Sequence, residues 1–537
     1  MLSHGSQGEC RVQKRLWKVV SCLAVLAGGG AGLRAQMPET LGTRIQAVMS
    51  RPEFAHSNFG VEFYDLESGK VVYALNENKL FVPASTTKLL TEGAVLATLG
   101  AAHRFHTRIF RTGPVDKHGT LKGDVVLVAS GDPNLSNRVQ PDGTLAFVDE
   151  DHSYNGPALP GDPLVVIKEL AKQIAERGIR KIEGRVYVDA TLLADGGREG
   201  GTGVVLSSII VNDNVIDVVG TPGTKAGDPV EWSVSPKSSY INFSNNVTTG
   251  APGSKVELDT AEPVTKADGT VTITMTGSIP LGKGKQTAAI PVPSPENFAR
   301  IVLSEALRAQ GVEIKGKSKA LTSFATIAKF YTPENLVAEH VSPPLAEEVK
   351  ITLKVSQNLH AGMGPYYLGL LAANDKKDPL RAGFKVEREF LKQARLDLSG
   401  ASQGDGAGGD WADLFSPDFV VHYLAYWHTR ADFEIFFKAL PILGKDGTLA
   451  KIQTANPAAG HVFAKTGTFG SDDKLNGRLM LNGKGLAGYV ITKSGKTLAF
   501  AAYVNHTALP EDPESAQQVA GQALGEIAAA AYDADLP

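Results

Sequence analysis

The ten residues Val82-Pro83-Ala84-Ser85-Thr86-Thr87-Lys88-Leu89-Leu90-Thr91 set a serine and a lysine three positions apart where a helix begins. Pro83 is tolerated at or just before a helix start but not inside a helix, and the run that follows is rich in helix formers until Gly100. Residues three apart are neighbours on a helix, so the pattern predicts Ser85 and Lys88 on one face of the first turn. Serine is a poor nucleophile until an adjacent base takes its proton. Lysine can be that base only when neutral, and burial, a second cation and the positive end of a helix all disfavour the ammonium. A Ser-Lys dyad that needs no histidine is therefore chemically sensible here. The spacing alone is weak, since it equally fits a capping serine beside a solvated lysine. It recurs at Ser471-Asp472-Asp473-Lys474, in a Gly-flanked charged segment that reads as a solvated turn.

Upstream, Leu41, Ile45, Val48 and Met49 recur at helical spacing, and Val61-Glu62-Phe63-Tyr64 and Val71-Val72-Tyr73-Ala74 read as a β-hairpin turning through Ser68-Gly69. Downstream, from about 106 to about 332, the texture changes to short strand-like runs such as 123–128 and 184–189, interrupted by helical patterns at 164–174 and 298–307. The Gly-, Thr- and Val-rich part from 206 to 290 reads as an all-β module nested within that region. Helical patterns return at 345–371. Strands are expected at 461–465, 486–490 and 498–504, and Val519, Leu524, Ile527 and Ala531 mark a last helix.

The chain has 537 residues, 42% hydrophobic and 21% charged, which calls for two or three domains. A net charge of −3 with scattered Lys and Arg excludes the basic footprint of nucleic-acid binding. Arg11, Lys14, Arg15 and Lys18 precede the apolar run 19–27, and Leu33-Arg34-Ala35 resembles a cleavage site, so residues 1–35 read as a signal peptide and the protein as periplasmic. The only cysteines, Cys10 and Cys22, lie in that segment, leaving a mature chain without a disulfide. Peripheral membrane association and homodimerisation stay open. His103 and His106 lack the H-E-x-x-H or cysteine context of a metal site, no phosphate- or dinucleotide-binding glycine motif occurs, and no cofactor or metal is expected.

Ser356-Gln357-Asn358 and Lys465-Thr466-Gly467 complete, in chain order, the set S-x-x-K, S-x-N, K-T-G. S-x-N is nearly uninformative alone, matching also Ser153-Tyr154-Asn155 and Ser244-Asn245-Asn246. Lys465-Thr466-Gly467 is the one K-T-G in the chain and follows a strand pattern. Each motif has a bland reading as a turn residue or solvated charge; their order and context together favour chemistry.

On these motifs the chain resembles the class C low-molecular-mass penicillin-binding proteins, serine D-alanyl-D-alanine carboxypeptidases/endopeptidases of bacterial cell walls. The resemblance extends to Ser130-Gly131-Asp132-Pro133-Asn134-Leu135, Gly178-Ile179-Arg180-Lys181-Ile182-Glu183-Gly184, Ser342-Pro343-Pro344-Leu345 and the run 440–449. The gap of 271 residues from Ser85 to Ser356, against 109 from Ser356 to Lys465, matches a family in which extra domains are inserted after the first motif. It implies an α/β (α+β) protein with a transpeptidase/β-lactamase-like core of antiparallel sheet and helices from 37–105 and 333–537. An inserted domain from 106–205 and 291–332 would carry a nested β-rich domain at 206–290.

The resemblance also implies roles. Ser85 attacks the carbonyl of the penultimate D-alanine with Lys88 as base, Ser356 and Lys465 relay a proton to the leaving amine, and Asn358 positions substrate. Thr466, Gly467 and Thr468 line the subsite for the terminal carboxylate, and the N–H groups of Ser85 and Thr468 form the oxyanion hole. Asp189 aligns with an acidic residue facing the free amine of the substrate's diamino acid, although a plain turn role is equally open to it. The implied partners are peptidoglycan stem peptides ending in D-Ala-D-Ala, with β-lactams as covalent inhibitors. Ala407 stands where the family's D-G-S-G loop has serine, and the stretch 470–485 reads as an extra loop beside the cleft. The alternatives are a serine β-lactamase and a non-catalytic peptidoglycan-binding scaffold on the same fold.

Overall fold

The computed structural model describes residues 40–193, 197–316, 323–510 and 515–534. The expected signal peptide lies outside the described residues. Among the described residues six antiparallel strands form the central sheet, five of them in the order Val462–Asp473, Arg478–Ile491, Thr497–Asn505, Asn58–Asp65, Lys70–Leu75 and the sixth, Thr507–Leu509, beside Arg478–Ile491. The hairpin read from 61–64 and 71–74 thus docks on a strand more than 400 residues later, with Phe63 opposite Phe500 and Val61 opposite Ala502. Almost every residue of Thr497–Asn505 is buried, because helices cover both faces of the sheet and the strand's apolar run has no solvent side.

On one face Leu41–Met49 and Gln522–Ala530 bury Ile45, Val48, Leu524 and Ile527 against Phe63, Phe500 and Val504. On the other, Lys88–Leu99, Leu345–Lys354 and Pro417–His428 pack Leu89, Leu353 and Trp427 against Tyr489 and Tyr503. Leu89, Leu90, Val95 and Leu96 are essentially inaccessible to solvent. At about 1.5–3 kcal/mol per buried aliphatic side chain, that packing offsets the cost of burying Lys88 and Glu92 on the same helix.

Between these halves, a second sheet joins Leu336–Val341, His106–Arg111, Val125–Val128 and Val186–Asp189, with Val165–Glu176 and Pro295–Ala309 sharing its core. Leu336–Val341 falls on the catalytic side of the expected boundary at 333, yet it pairs with His106–Arg111. Within 206–290, one sheet pairs Val215–Thr221 with Glu231–Ser235 and Gln286–Pro291, and another sets Ile241–Gly250 parallel to Val271–Pro280.

The stretch read as an extra loop after Thr468 is not a loop. Val462–Asp473 and Arg478–Ile491 stay paired as far as Asp473 and Arg478, whose side chains meet at 2.8 Å, and Thr507–Leu509 adds a third strand there. Charged and glycine residues masked the alternation, whereas backbone pairing needs no particular side chain. Ser471 and Lys474 sit exposed near the tip of this ribbon, as their solvated reading expected.

Candidate active site

Residues Ala84–Thr87 form a 3-10 turn running directly into the helix Lys88–Leu99. Ala84 has φ +48°, a left-handed conformation that costs a residue with a Cβ and tips the next residue, Ser85, toward the cleft. Two glycines hold this turn from opposite sides. A Cβ at Gly467 would lie 2.3 Å from Pro83 O, and one at Gly408 would lie 2.0 Å from Ala84 O. The glycine of K-T-G therefore serves close approach of backbones, while its neighbours Thr466 and Thr468 line the cleft.

Lys88 Nζ, fully buried, donates to Ser85 Oγ at 2.7 Å, to Asn358 Oδ1 at 2.7 Å and to Ala407 O at 2.8 Å. Burial pushes Lys88 down to about 8 against the upward pull of Glu199, Asp405, Glu92 and Asp413. Burial thus supplies the depression for which a helix end and a second cation were also candidates. The contact at Ala407 comes from its backbone carbonyl, and its side chain is buried, so the missing hydroxyl removes no bond to the lysine. Asp405 shapes that loop by accepting from the N–H groups of Ala407, Gly408 and Gly409.

The second motif joins the helices Leu345–Lys354 and Asn358–Tyr367. Ser356 there has φ +63°, and its Oγ accepts from Lys465 Nζ at 2.8 Å. Lys465 also donates to Thr466 O, and burial, with Lys88 and Lys484 nearby, holds it well below the usual lysine range. Gln357 points away from the cleft: its Oε1 caps the following helix at Leu359 N, and its Nε2 donates to Asp151 and Ser153 of the inserted region. Behind it, Arg138 bonds Asp151 and Asp213, while His152 and His360 each contact Asp213. Although burial opposes it, hydrogen bonds to Asp213 and Asp217 raise His152 to about 10. Asp151, His152 and Asp213 come close enough to share an ion, but the Arg138 guanidinium already occupies both carboxylates. His106 pairs with Glu339, and His103 stands edge-on to Phe105.

Ser85, Ser356, Asn358, Thr466 and Thr468 open on one cleft of about 750 Å³. Asp189 is not among its lining residues. Its carboxylate accepts from Thr191 N at 3.0 Å, Thr191 Oγ1 at 2.6 Å and the Tyr331 hydroxyl at 2.8 Å, and the residue is buried at the end of its strand. These bonds are the ones the turn reading expects, and a substrate amine would have to share the same carboxylate.

Several residues at the site carry no motif. Glu199, 4% exposed, accepts from Asn358 Nδ2 at 2.8 Å, which turns the amide oxygen of Asn358 toward Lys88. Tyr154 donates to Ser356 O at 2.6 Å. Asp149, Glu150 and Lys484 line the cleft. The sequence signal for Glu199 is limited to its glycine-rich surroundings, which bring Gly200 and Gly201 to the cleft wall.

A helix-covered antiparallel sheet with two serine-lysine contacts at one cleft is an arrangement suited to acyl transfer. A family model described as D-Ala-D-Ala carboxypeptidase 3 (S13) matches residues 41–524, and the chain belongs to that family of serine peptidases. It is 27% identical over 516 residues to the D-alanyl-D-alanine carboxypeptidase of Actinomadura sp. (strain R39), covering 90% of this chain and 88% of the relative. It is 24% identical over 432 residues to penicillin-sensitive carboxypeptidase A of Dictyostelium discoideum, covering 77% and 76%. Penicillin binding protein 4 from Haemophilus influenzae shares the fold, with a TM-score of 0.68 and 19% identity over 90% of this chain and 97% of that one.

Proposed function

We propose that this chain hydrolyses D-Ala-D-Ala stem peptides, or the cross-links made from them, through an acyl-enzyme on Ser85. The observation that carries the reading is the pair of contacts at one cleft, Lys88 Nζ to Ser85 Oγ at 2.7 Å and Lys465 Nζ to Ser356 Oγ at 2.8 Å. Neutral Lys88 takes the proton of Ser85 as Oγ bonds to the penultimate carbonyl carbon. The developing oxyanion is met by the N–H groups of Ser85 and Thr468. As the C–N bond breaks, the leaving amine takes the Ser356 proton, which Lys465 replaces. Water then attacks the ester and yields its proton to Lys465, while Lys88 returns the first proton to Ser85. Asn358, oriented by Glu199, positions the peptide.

Export to the periplasm suits a peptidoglycan substrate and is supported by the basic-then-apolar pattern of residues 1–35. Among the described residues no helix is long and apolar enough to cross a membrane. Labelled penicillin tests the reading: it should acylate Ser85, located by mass spectrometry, and decay slowly. Label lost within seconds favours the β-lactamase alternative, and none at all favours the scaffold. Ser85→Ala should keep its melting behaviour and take up no label; an adduct on another serine overturns the assignment.

A further inference from the structure

Among the described residues Lys88, Lys465 and Lys484 are buried around the cleft, and the chemistry above uses the first two. The third, Lys484, is 3% exposed yet forms part of the cleft wall. Strand register sets it opposite Thr468, and residues paired across an antiparallel ladder project to the same face. A Cβ at Gly483 would lie 2.6 Å from Val82 O, so that glycine lets the strand close on the serine turn and carries Lys484 with it. Lys484 Nζ donates to Thr468 Oγ1 at 2.6 Å and reaches Gln517 Oε1 at 3.5 Å.

Both of those partners are neutral, and among the described residues no carboxylate lies within ion-pair distance of Lys484. The nearby amine, Lys465, is itself held well below the usual lysine range and supplies no counter-charge. An ammonium buried against neutral groups is costly, and burial pushes Lys484 down to about 8. Glu199, Asp405, Glu92 and Asp413 face Lys88, while Asp149 and Glu150 on the cleft wall are engaged by Gly447 N and by Lys451. An anion is what Lys484 lacks. The substrate brings one, a terminal carboxylate one residue beyond the scissile bond.

We infer that Lys484, beside Thr468 Oγ1, is the cation that receives the terminal carboxylate of the substrate, an assignment that rests on the functional reading above. An ammonium has three donors, and Lys484 commits one to Thr468 at short range, leaving others for the carboxylate. Lys465, already bonded to Ser356 and Thr466, is thereby kept for proton transfer. The arriving anion also favours the charged form of Lys465, which the relay needs at the moment of C–N cleavage.

The test compares a stem-peptide analogue ending in a free D-Ala carboxylate with the same peptide as its C-terminal amide, on wild type, Lys484→Met and Lys484→Gln. Wild type should prefer the acid. Either variant should lose about 10- to 100-fold in kcat/KM on the acid, mainly through KM, and stay within about two-fold on the amide. Equal losses on both peptides make Lys484 a structural residue and overturn the inference. So does a wild type that cleaves acid and amide equally well, a result needing no variant to fold. A wild type that cleaves neither peptide and takes up no labelled penicillin overturns the functional reading, and this inference with it.

Discussion

Lys88 and Lys484 are both buried, both line one reaction path and are both pushed down to about 8, yet they keep opposite company. Lys88 lies among carboxylates and accepts burial because Glu199, Asp405, Glu92 and Asp413 hold its pKa up. Lys484 has a threonine and a glutamine for partners, and a lysine nearby. Equal depressions thus conceal different balances, a large desolvation opposed by charge in one case and desolvation alone in the other. A lysine whose burial is opposed by nearby carboxylates suits proton exchange, whereas one without a counter-ion suits capture of an anion.

The hardest break in that comparison is at Lys88. Lys88→Arg keeps a cation among the same carboxylates but removes a base that can be neutral near physiological pH. Penicillin acylation should fall by about 100-fold or more, measured as the second-order rate of label uptake; near-normal acylation excludes Lys88 as the base.

A finer cut uses pH. Acylation should rise with pH and level off above about 8, as Lys88 loses its proton. Glu199→Gln removes a charge that pulls Lys88 upward, so the rising limb should move to lower pH, read from label uptake between about pH 5 and about pH 10. The shift separates electrostatic control from simple support of Asn358, which would lower the plateau and leave the limb in place. Asp405, Glu92 and Asp413 still face Lys88 in that variant, so the shift is partial.

The smallest effect is expected at Asp189, whose carboxylate is engaged by Thr191 and Tyr331. Asp189→Asn still offers an oxygen to Thr191 and Tyr331, so kcat/KM should stay within about two-fold for peptides with or without a side-chain amine, at a stability cost of ~1 kcal/mol. A selective ten-fold loss on the amine-bearing peptide would return Asp189 to the cleft.

The legible part of the protein was local. Pro83, the helix formers after it and the three-residue step from Ser85 to Lys88 were enough to expect the serine turn, and Leu41, Ile45 and Val48 showed their helix by spacing. The ribbon beyond Thr468 was hidden because strand pairing there rests on backbone groups, with Asp472, Asp473 and Arg478 exposed or half-exposed instead of alternating with a core. Asp189 was ambiguous because a strand-ending acid looks the same in sequence whether it faces a cleft or its own turn. Glu199 was invisible for a related reason: its partner Asn358 is 159 residues away, and no period or spacing records such a meeting.

By itself the sequence determined the chemical alphabet of the site: a serine with a lysine one helical turn on, a second serine-asparagine pair, and a K-T-G strand, in an order that allows a long insertion between the first two. Only the tertiary structure decided which lysines are desolvated, which carboxylates face them, and that Gly467 closes on Pro83 while Lys484 reaches Thr468. Residue type and spacing follow from local covalent geometry. Desolvation and charge-charge energy depend on distances across the fold, and those exist only once chain segments hundreds of residues apart have packed together.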